Sequence, residues 1–253
     1  MTGVDLGLEA RRALVTGGSR GIGRAIALHL ARAGADVCIG YRTREEDARA
    51  VVARARTVGS RANALRADLS DPDAAAALVI GAVEALGGLD IFVANAGVWP
   101  PAAVQLAELV DARWRSTLSI NLDGLFWTTR AAARVIADAG RIVLIGSTAG
   151  QRGEAGHADY AASKAALGGL VKSLAIELAP RAVTVNCVAP GWVDTEMCEE
   201  PFAAGGRERI EAGIPLGRVA CPDDIAGPAL FLCSALARHV TGTTLSVNGG
   251  AVL

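Results

Sequence analysis

Lysine and tyrosine are scarce in this chain of 253 residues. It contains only two lysines, Lys164 and Lys172, and two tyrosines, Tyr41 and Tyr160, so that arginine supplies almost all of its 25 basic side chains. One lysine nevertheless follows one tyrosine by four residues, in the sequence DYAASK at 159–164. This spacing places Tyr160 and Lys164 on one face of a helix. The pair is therefore the first candidate for a functional site.

The chain also lacks long apolar runs, an excess of charge and paired cysteines. Its longest apolar run, AAAALVIGAV, falls well short of the roughly 20 residues that span a bilayer, and the N-terminal sequence MTGVDLGLEARR has no apolar core typical of a signal peptide. A net charge of −1 provides no electrostatic attraction to nucleic acid or to an anionic membrane. The five cysteines form no CxxC pair and no zinc-ligand spacing, which predicts reduced thiols, a cytoplasmic protein and no metal site.

Short β-branched segments alternate with longer alanine-rich segments along the chain. The former predict strands at 12–17, 35–41, 62–69, 89–97, 140–147, 182–190 and 244–250. The latter predict helices at 20–34, about 44–58, from an N-cap at Ser70, about 111–138, about 159–178 and from near Pro222. Continuous apolar strands separated by helices indicate a parallel sheet that is covered on both faces. We therefore predict a single α/β domain, 1–253, with a doubly wound parallel sheet of about seven strands, a Rossmann fold.

Glycines follow the first predicted strand, in the sequence TGGSRGIG at 16–23. Glycine permits a tight turn and a close approach of the backbone to a pyrophosphate, and the helix that follows offers free N–H groups at its N-terminus. We predict that this turn binds a dinucleotide, although a glycine-rich turn without a ligand is the alternative. The residues assigned to this cofactor site are Gly17, Ser19, Arg20, Gly21, Ile22 and Gly23.

The end of the second predicted strand bears on the choice between NADP and NAD. NAD-binding folds place an acid about 20 residues after the glycines, where it holds the ribose 2′-hydroxyl. Tyr41 occupies that position here and Arg42 follows it, while Arg20 lies within the glycine turn. Two guanidinium groups suit a 2′-phosphate. We predict NADP(H) as the preferred cofactor and keep NAD(H) as the alternative, because Arg42 and Arg44 are also typical of solvated residues at a helix start.

Residues after two later strands extend the predicted cofactor site. Asp68 and Leu69 follow the third strand, where a carboxylate can accept a hydrogen bond from the adenine amino group. Capping of the next helix is an equal alternative for Asp68. Asn95, Ala96 and Gly97 end the fourth strand with small residues that we expect beside the cofactor.

The pair of Tyr160 and Lys164 suggests acid–base chemistry. A free tyrosine has a pKa of about 10, and a nearby ammonium group favours the phenolate and lowers that pKa. Such a tyrosine can donate a proton to a developing alkoxide or accept one from an alcohol. A chance pair on an exposed helix face is the alternative.

Five motifs in this order resemble the short-chain dehydrogenase/reductase family: TGxxxGxG, NAG, a serine thirteen residues before the tyrosine, YxxxK and PG. The resemblance extends from about residue 10 to the C-terminus. It implies that Tyr160 is the catalytic acid/base, that Lys164 binds the nicotinamide ribose and lowers the tyrosine pKa, that Ser147 holds the substrate oxygen, and that Asn121 supports a water relay to the lysine. The motif PGWVDT implies contacts to the nicotinamide from Pro190, Gly191, Val193 and Thr195.

The implied reaction is hydride transfer to a carbonyl carbon, with Tyr160 protonating the oxygen. The motifs are most similar to the branch that contains 3-oxoacyl-[acyl-carrier-protein] reductases, which predicts a ketone reductase that acts on 3-oxoacyl thioesters. Dehydrogenation of a sugar, a polyol or another small secondary alcohol is the alternative, and a non-catalytic dinucleotide-binding protein is a third. Arg181 matches a basic position expected to meet acyl-carrier protein, whereas Asp138 stands where another basic residue is expected.

The substrate side of the site is less defined by the sequence. The segment at about 191–218 is polar and contains glycines, so we predict a mobile substrate lid. Trp99 and Trp192 are candidates for an apolar wall. His157 is interpreted as a loop residue without a chemical role, with a position in the pocket wall as the alternative.

The resemblance also implies a homotetramer, packed through the helices at 111–138 and 159–178 and through the last strand. Two residues depart from the family's pattern, since Ala94 stands where asparagine is frequent and Ala182 where many relatives have glycine. Neither belongs to the predicted catalytic set, but Ala182 is expected to alter a tight turn.

Overall fold

Seven parallel strands form one sheet in the order β3-β2-β1-β4-β5-β6-β7. The computed structural model describes residues 4–252, so that 1–3 and 253 of the predicted domain lie outside the described residues. The strands are β1 (Arg12–Thr16), β2 (Asp36–Tyr41), β3 (Ala62–Arg66), β4 (Ile91–Ala94), β5 (Arg141–Ile145), β6 (Thr184–Pro190) and β7 (Thr244–Val247). The helices are α1 (Gly21–Arg32), α2 (Glu45–Arg56), α3 (Pro72–Leu86), α4 (Asp111–Leu118), α5 (Gly124–Val135), α6 (Ala149–Arg152), α7 (Ala158–Leu178), α8 (Glu199–Phe202), α9 (Gly206–Ala212) and α10 (Pro222–Cys233).

Both faces of the sheet are covered by helices. In β5, Ile142 and Leu144 pack against the layer formed by α3, α5 and α7, while Val143 and Ile145 pack against the layer formed by α1, α2 and α10. This alternation follows from the two-residue period of a strand, and burial on both sides explains why the strands are continuously apolar. The predicted single-domain, doubly wound α/β fold is confirmed.

The order of the strands in the sheet reverses direction at β1. β1 pairs with β2 on one side and with β4 on the other, and both neighbours are parallel to it. The loops that follow β1 and β4 therefore diverge and leave a crevice at the carboxyl ends of the strands, where ligands of doubly wound sheets bind.

The start of α3 differs from the prediction. Asp71, and not Ser70, is the N-cap residue, because its carboxylate accepts hydrogen bonds from the backbone N–H groups of Asp73 at 2.8 Å and Ala74 at 3.4 Å. The Ser70 hydroxyl instead donates to Asp68 Oδ1 at 2.8 Å. The prediction of Ser70 was wrong, although Ser70 and Asp71 are both residue types that cap helices. The Ser70 hydroxyl is engaged with Asp68 in the turn before the helix, and Asp71 therefore caps α3.

The helix predicted at 111–138 is interrupted and ends early. A π-helical turn, Ser119–Asp123, separates α4 from α5, and such turns are frequent at functional sites. Ile136 leaves the helix with extended backbone and a fully buried side chain. The Arg181 guanidinium donates to the carbonyl groups of Ala133 and Ile136, which stabilises the last turn of α5.

The cysteines and the helix lengths add two plain observations. All five cysteines are free, and four of them are buried. Among residues 4–252, none of the helices combines the length and the apolarity that a membrane span requires. The cytoplasmic location remains a prediction.

Candidate active site

A cleft of about 310 Å³ opens at the carboxyl ends of the strands, beside the crevice between β1 and β4. Three of the four predicted catalytic residues line it, Ser147, Tyr160 and Lys164, whereas Asn121 lies behind its wall. Every predicted cofactor residue except Gly23 also lines the cleft. Those residues are Gly17, Ser19, Arg20, Gly21, Ile22, Tyr41, Arg42, Asp68, Leu69, Asn95, Ala96, Gly97, Tyr160, Lys164, Pro190, Gly191, Val193 and Thr195.

The glycine turn provides a cradle for an anionic group. Gly17 and Gly21 have φ angles of +64° and +51°, in the left-handed region that favours glycine. α1 starts immediately after Arg20, and no side chain caps its first turn. Its N–H groups and the positive end of its dipole therefore face the cleft, as a pyrophosphate requires. Gly23 has a packing role, because a Cβ atom there would lie 2.3 Å from the Gly17 carbonyl oxygen.

Hydrogen bonds to Thr16 hold the segment after β4 against this turn. Thr16 was not identified from the sequence as a site residue. The Thr16 hydroxyl accepts hydrogen bonds from the backbone N–H groups of Asn95 and Ala96, both at 3.0 Å. The Asn95 amide donates to the Thr16 carbonyl at 2.9 Å and to the Gly17 carbonyl at 3.1 Å. Asn95 therefore holds the glycine turn in place. Thr16 belongs to the TGxxxGxG motif, so the motif itself contained the signal.

The end of the cleft beyond β2 is rich in arginine. Arg20, Arg42 and Arg44 line it, and Arg44 had been considered only as a solvated helix-start residue. Arg20 Nη1 contacts Glu196 Oε2 at 2.7 Å, and both side chains are more than 40% exposed. Arg42 is exposed and lies close enough to Asp68 to favour its ionised form.

Asp68 acts as a turn cap in the structure. Its Oδ1 atom accepts hydrogen bonds from the Ser70 backbone N–H at 3.0 Å and from the Ser70 hydroxyl at 2.8 Å. These bonds, with a smaller contribution from Arg42, hold the pKa of Asp68 below its usual value. Contact with an adenine remains a prediction.

Tyr160 and Lys164 lie together, but burial shifts both pKa values away from the ionised forms. The Lys164 ammonium is 5.8 Å from the centre of the Tyr160 ring and donates to the Ile145 carbonyl at 2.9 Å. Burial lowers the pKa of Lys164 to about 8. Burial also raises the pKa of Tyr160 to about 12, and the Ser147 hydroxyl opposes this rise. The expected lowering of the Tyr160 pKa was wrong for this arrangement, because loss of solvent outweighs the hydrogen bond with Ser147 and the charge of Glu154 adds to the rise.

Asn121 connects the segment after β4 to α7. It is fully buried within the π-helical turn. Its amide accepts from the Val98 backbone N–H and donates to the Val98 carbonyl, both at 2.8 Å, and donates to the Ser163 hydroxyl at 3.2 Å. The Ser163 hydroxyl in turn donates to the Tyr160 carbonyl at 2.7 Å. The amide thus positions the helix that carries Tyr160, and the water relay remains a prediction.

A second buried anchor adjoins Tyr160 and was not identified from the sequence. Asp159 is fully buried and accepts hydrogen bonds from the Thr117 hydroxyl at 2.8 Å and from Arg113 Nε at 3.1 Å. Burial alone would raise the pKa of Asp159, but these two donors hold it below its usual value. The contacts join α4 to the first turn of α7. An acidic residue directly before the tyrosine was the available signal.

Aromatic side chains form the part of the cleft wall that adjoins the predicted lid. Trp99 and Trp192 line it as predicted, with ring centres 5.9 Å apart and planes at 80°. His157 stacks on Trp99 at 4.5 Å and is buried, but it does not line the cleft. Glu154 and Arg152 also line the cleft, and neither was identified from the sequence.

The aromatic contacts continue into 191–218. Phe202 in α8 lies 6.0 Å from Trp192, and the Arg207 guanidinium in α9 lies 4.6 Å above the Phe202 ring. Arg207 also contacts Asp194 at 2.7 Å. The predicted lid therefore packs on the cleft wall through named contacts, while its movement remains a prediction.

The chain is similar to known oxidoreductases over nearly its whole length. A family model described as enoyl-(acyl carrier protein) reductase matches residues 17–252. An L-rhamnose 1-dehydrogenase (NAD(P)(+)) of Azotobacter vinelandii is 39% identical over 244 residues, which cover 94% of each chain. A 3-oxoacyl-[acyl-carrier-protein] reductase of Synechocystis is 39% identical over 249 residues, which cover 97% of this chain and 98% of the relative.

A solved structure has the same fold. The crystal structure of a short chain dehydrogenase from Burkholderia cenocepacia in complex with NADP superposes with a TM-score of 0.91 and 42% sequence identity, and the match covers 98% of this chain and 99% of the other. The fold, the cleft and these matches lead to one conclusion: this chain belongs to the short-chain dehydrogenase/reductase family of oxidoreductases.

Proposed function

We propose that this protein is an NADP(H)-dependent oxidoreductase that interconverts a carbonyl group and a secondary alcohol, with Tyr160 as the general acid and base. The observation that carries the proposal is the meeting of Ser147, Tyr160 and Lys164 in one cleft with the glycine turn. A dinucleotide-binding protein without catalysis would not need an ionisable pair at this place.

Each side chain has a definite part in this proposal. A nicotinamide cofactor held by the glycine turn and by the residues after β2 and β4 would supply or accept the hydride. The Ser147 hydroxyl holds the substrate oxygen. Tyr160, with a pKa of about 12, carries its proton at neutral pH and donates it to that oxygen during reduction. The Lys164 ammonium, which lines the cleft, would hold ribose hydroxyl groups, and the Asn121 amide, which donates to Ser163, keeps α7 in position.

The preference for NADP(H) rests on the arginine-rich end of the cleft. A 2′-phosphate suits the guanidinium groups of Arg42 and Arg44, and no acid occupies the position of Tyr41. The pair of Arg20 and Glu196 is exposed, and such pairs contribute only about 0–1 kcal/mol, so a phosphate can replace Glu196. The NADP complex of the Burkholderia relative agrees with this proposal. NAD(H) is the alternative.

Two substrate classes are in competition. The Synechocystis relative favours a 3-oxoacyl thioester, with acyl-carrier protein as a partner. Arg181, the basic residue expected to meet that protein, donates to the carbonyl groups of Ala133 and Ile136 at the end of α5, and its exposed partner Asp138 brings a negative charge to the same place. Both features weaken this candidate. The Azotobacter relative favours a sugar, and the polar groups of Glu154 and Arg152 in the cleft favour a hydroxylated small molecule.

The remaining features of the proposal follow from the family. We propose that 191–218 closes over the substrate, that the protein is a homotetramer in the cytoplasm, and that it has neither a nucleic acid nor a membrane as a partner. The assembly would use α4, α5, α7 and β7.

Replacement of Tyr160 tests the catalytic assignment. We expect Tyr160→Phe to lower kcat by about 100- to 10,000-fold, which is the usual contribution of general acid catalysis, and to leave NADPH binding within a few-fold. Turnover is followed by the absorbance of NADPH with acetoacetyl-coenzyme A and with small carbonyl compounds. Binding is followed by the fluorescence of NADPH.

The only other tyrosine supplies a matched control. Tyr41→Phe removes the same hydroxyl group at the cofactor end of the cleft, and we expect it to change the KM for the cofactor rather than kcat. Unchanged turnover by Tyr160→Phe would disprove the assignment of Tyr160.

A further inference from the structure

The substrate side of the cleft contains charged groups that hydride transfer does not require. Glu154 lies beside His157, which stacks on Trp99, and Arg152 lines the same cleft as Glu154 and the two tryptophans. Neither charged residue contacts the glycine turn or belongs to the proposed catalytic set. Their presence in a partly enclosed cleft indicates recognition of a ligand.

Glu154 presents a carboxylate with unused acceptor capacity. Its side chain is only 19% exposed, and its Oε1 atom lies 3.7 Å from His157 Nδ1, which is beyond hydrogen-bond distance. Within 4–252, no group donates a hydrogen bond to this carboxylate, whereas Asp68 and Asp159 are both satisfied by nearby donors. A carboxylate has about four lone-pair sites. Those of Glu154 are therefore available to donors on a ligand.

Glu154 also lies near the reaction centre. Its negative charge contributes to the raised pKa values of Tyr160 and Cys198, both of which line the cleft. A ligand whose reacting carbon lies beside Tyr160 can therefore reach Glu154 with a neighbouring part of the same small molecule.

The aromatic wall is held in a fixed orientation. His157 stacks on Trp99 with planes at 18°, and Trp192 meets Trp99 edge-on at 80°. Phe202 supports Trp192. The two indole rings thus form an apolar corner that can pack against the C–H groups of a compact ligand without first being ordered.

The charges favour a neutral ligand with several hydroxyl groups. An ammonium group would be attracted by Glu154 but repelled by Arg152. An anionic group would be repelled by Glu154 and attracted by Arg152. A hydroxyl group can donate to the carboxylate and accept from the guanidinium. An apolar corner in a cleft that also holds both charges therefore suits a sugar or a polyol better than an ion or a plain acyl chain.

We propose that Glu154, Arg152 and the corner of Trp99 and Trp192 form a subsite for the hydroxyl groups of a neutral polyhydroxylated substrate, a sugar or a polyol. The proposal rests on the proposed function. In the oxidation direction, the C–H bond of the reacting carbon breaks and its electron pair passes with the hydrogen to oxidised cofactor. The hydroxyl proton passes to the phenolate of Tyr160, which forms only after the phenol has released its own proton to solvent, and the carbonyl group forms.

The test compares substrates that differ only in hydroxyl content. Neutral aldoses, inositol and erythritol are assayed with NADP+ and NAD+ beside matched monohydric alcohols such as cyclohexanol and 2-butanol. We expect the best polyhydroxylated substrate to exceed its monohydric match in kcat/KM by about 100-fold, because hydrogen bonds to charged groups each contribute about 10- to 100-fold.

Substitution of Glu154 tests the residue itself. We expect Glu154→Gln to reduce that preference at least about tenfold, mainly through a higher KM, because the amide is a weaker acceptor. Arg152→Gln, at an exposed position, is expected to reduce it in the same direction. Glu84→Gln makes the same chemical change on the exposed face of α3, far from the cleft lining, and should retain the preference.

Binding gives a readout that does not depend on turnover. Trp99 and Trp192 line the cleft, so a ligand there should change tryptophan fluorescence when polyols are titrated in the presence of NADP+. A polyol that binds to the unmodified protein and at least tenfold more weakly to Glu154→Gln supports the subsite. The proposal is overturned if no polyol binds or turns over, or if Glu154→Gln and Glu84→Gln show the same preference. Failure of the proposed function would appear separately, as unchanged turnover by Tyr160→Phe.

Discussion

Arg42 is the residue whose charge most directly determines the proposed choice of cofactor. Arg20 shares the same end of the cleft, but its guanidinium already contacts Glu196 at 2.7 Å. Arg42 is exposed at the end of β2, and Asp68, the acid whose pKa its charge helps to lower, is engaged with Ser70. The charge of Arg42 is therefore the more available of the two for a phosphate.

Arg42→Asp should reverse the cofactor preference. The aspartate would repel a 2′-phosphate and accept a hydrogen bond from a ribose 2′-hydroxyl. We expect the dissociation constant of NADPH to rise about 10- to 100-fold, since a hydrogen bond to a charged group contributes about 1.5–3 kcal/mol, and that of NADH to fall. Fluorescence titration measures both constants.

The control for this variant makes the same charge change elsewhere. Arg54→Asp alters an exposed residue of α2 that does not line the cleft, and its effect on NADPH should remain below about threefold because exposed charges at a distance are screened. Equal losses in the two variants would mean that net charge, and not contact with the 2′-phosphate, determines NADPH binding.

The sequence predicted correctly those site residues whose positions depend only on their spacing along the chain. Tyr160 and Lys164 are four residues apart in one helix, which brings them together. The glycine motif forms a single turn, and that turn lines the cleft as predicted. The direction of the Tyr160 pKa was wrong because desolvation depends on the packing of distant elements. Glu154 was missed for the same reason, since only the folded loop between β5 and α7 brings it to the cleft.

Ala182 is a point of strain between the end of α7 and β6. It follows the short 3₁₀ turn Ala179–Arg181 and has φ of +54°, in the left-handed region. A residue with a Cβ atom loses roughly 1–2 kcal/mol there. The side chain is exposed, so packing does not offset this cost. The departure from glycine noted in the sequence thus has a structural consequence at this turn.

Ala182→Gly should stabilise the protein. Relief of the strain exceeds the added backbone entropy of glycine, which is about 0.4–1 kcal/mol. We expect a net gain of about 1 kcal/mol and a rise in Tm of about 2–4 °C for a chain of this length, measured by the loss of helical circular dichroism on heating.

The opposite sign is expected when the same change is made inside a helix. Ala77 is exposed within α3, and Ala77→Gly should lower the stability by about 0.5–1 kcal/mol. A decrease in Tm for both variants would show that the left-handed conformation of Ala182 carries no appreciable strain.

Element-level inference identified every strand and the main helices, because buried runs and helix periods extend over many residues. The predicted ends of the helices and strands were less accurate. Ser70 and Asp71 are both good capping residues, and only the turn around Asp68 selects between them. The π-helical turn around Asn121 has no sequence signature, since it depends on the contacts of that amide with Val98 and Ser163.

At the scale of the whole molecule, the proposed interface combines an open sheet edge with exposed apolar helix residues. β7 ends the sheet and has alternate residues exposed, and uncovered edge strands tend to pair with other chains. Ile176 on α7 is 78% exposed, and Phe126 and Val135 on α5 are each 42% exposed. Association through these elements would remove them from water, in agreement with the proposed homotetramer.

Ile176→Arg should break this assembly. Light scattering after gel filtration should give four times the chain mass for the unmodified protein and a smaller species for the variant, because burial of an unpaired charge in an interface costs several kcal/mol. Ile80→Arg makes the same substitution on α3, where Ile80 is 54% exposed but outside the proposed interface. It should keep the larger mass. A single-chain mass for the unmodified protein would reject the tetramer. Dissociation of both variants alike would reject the α7 face as its specific interface.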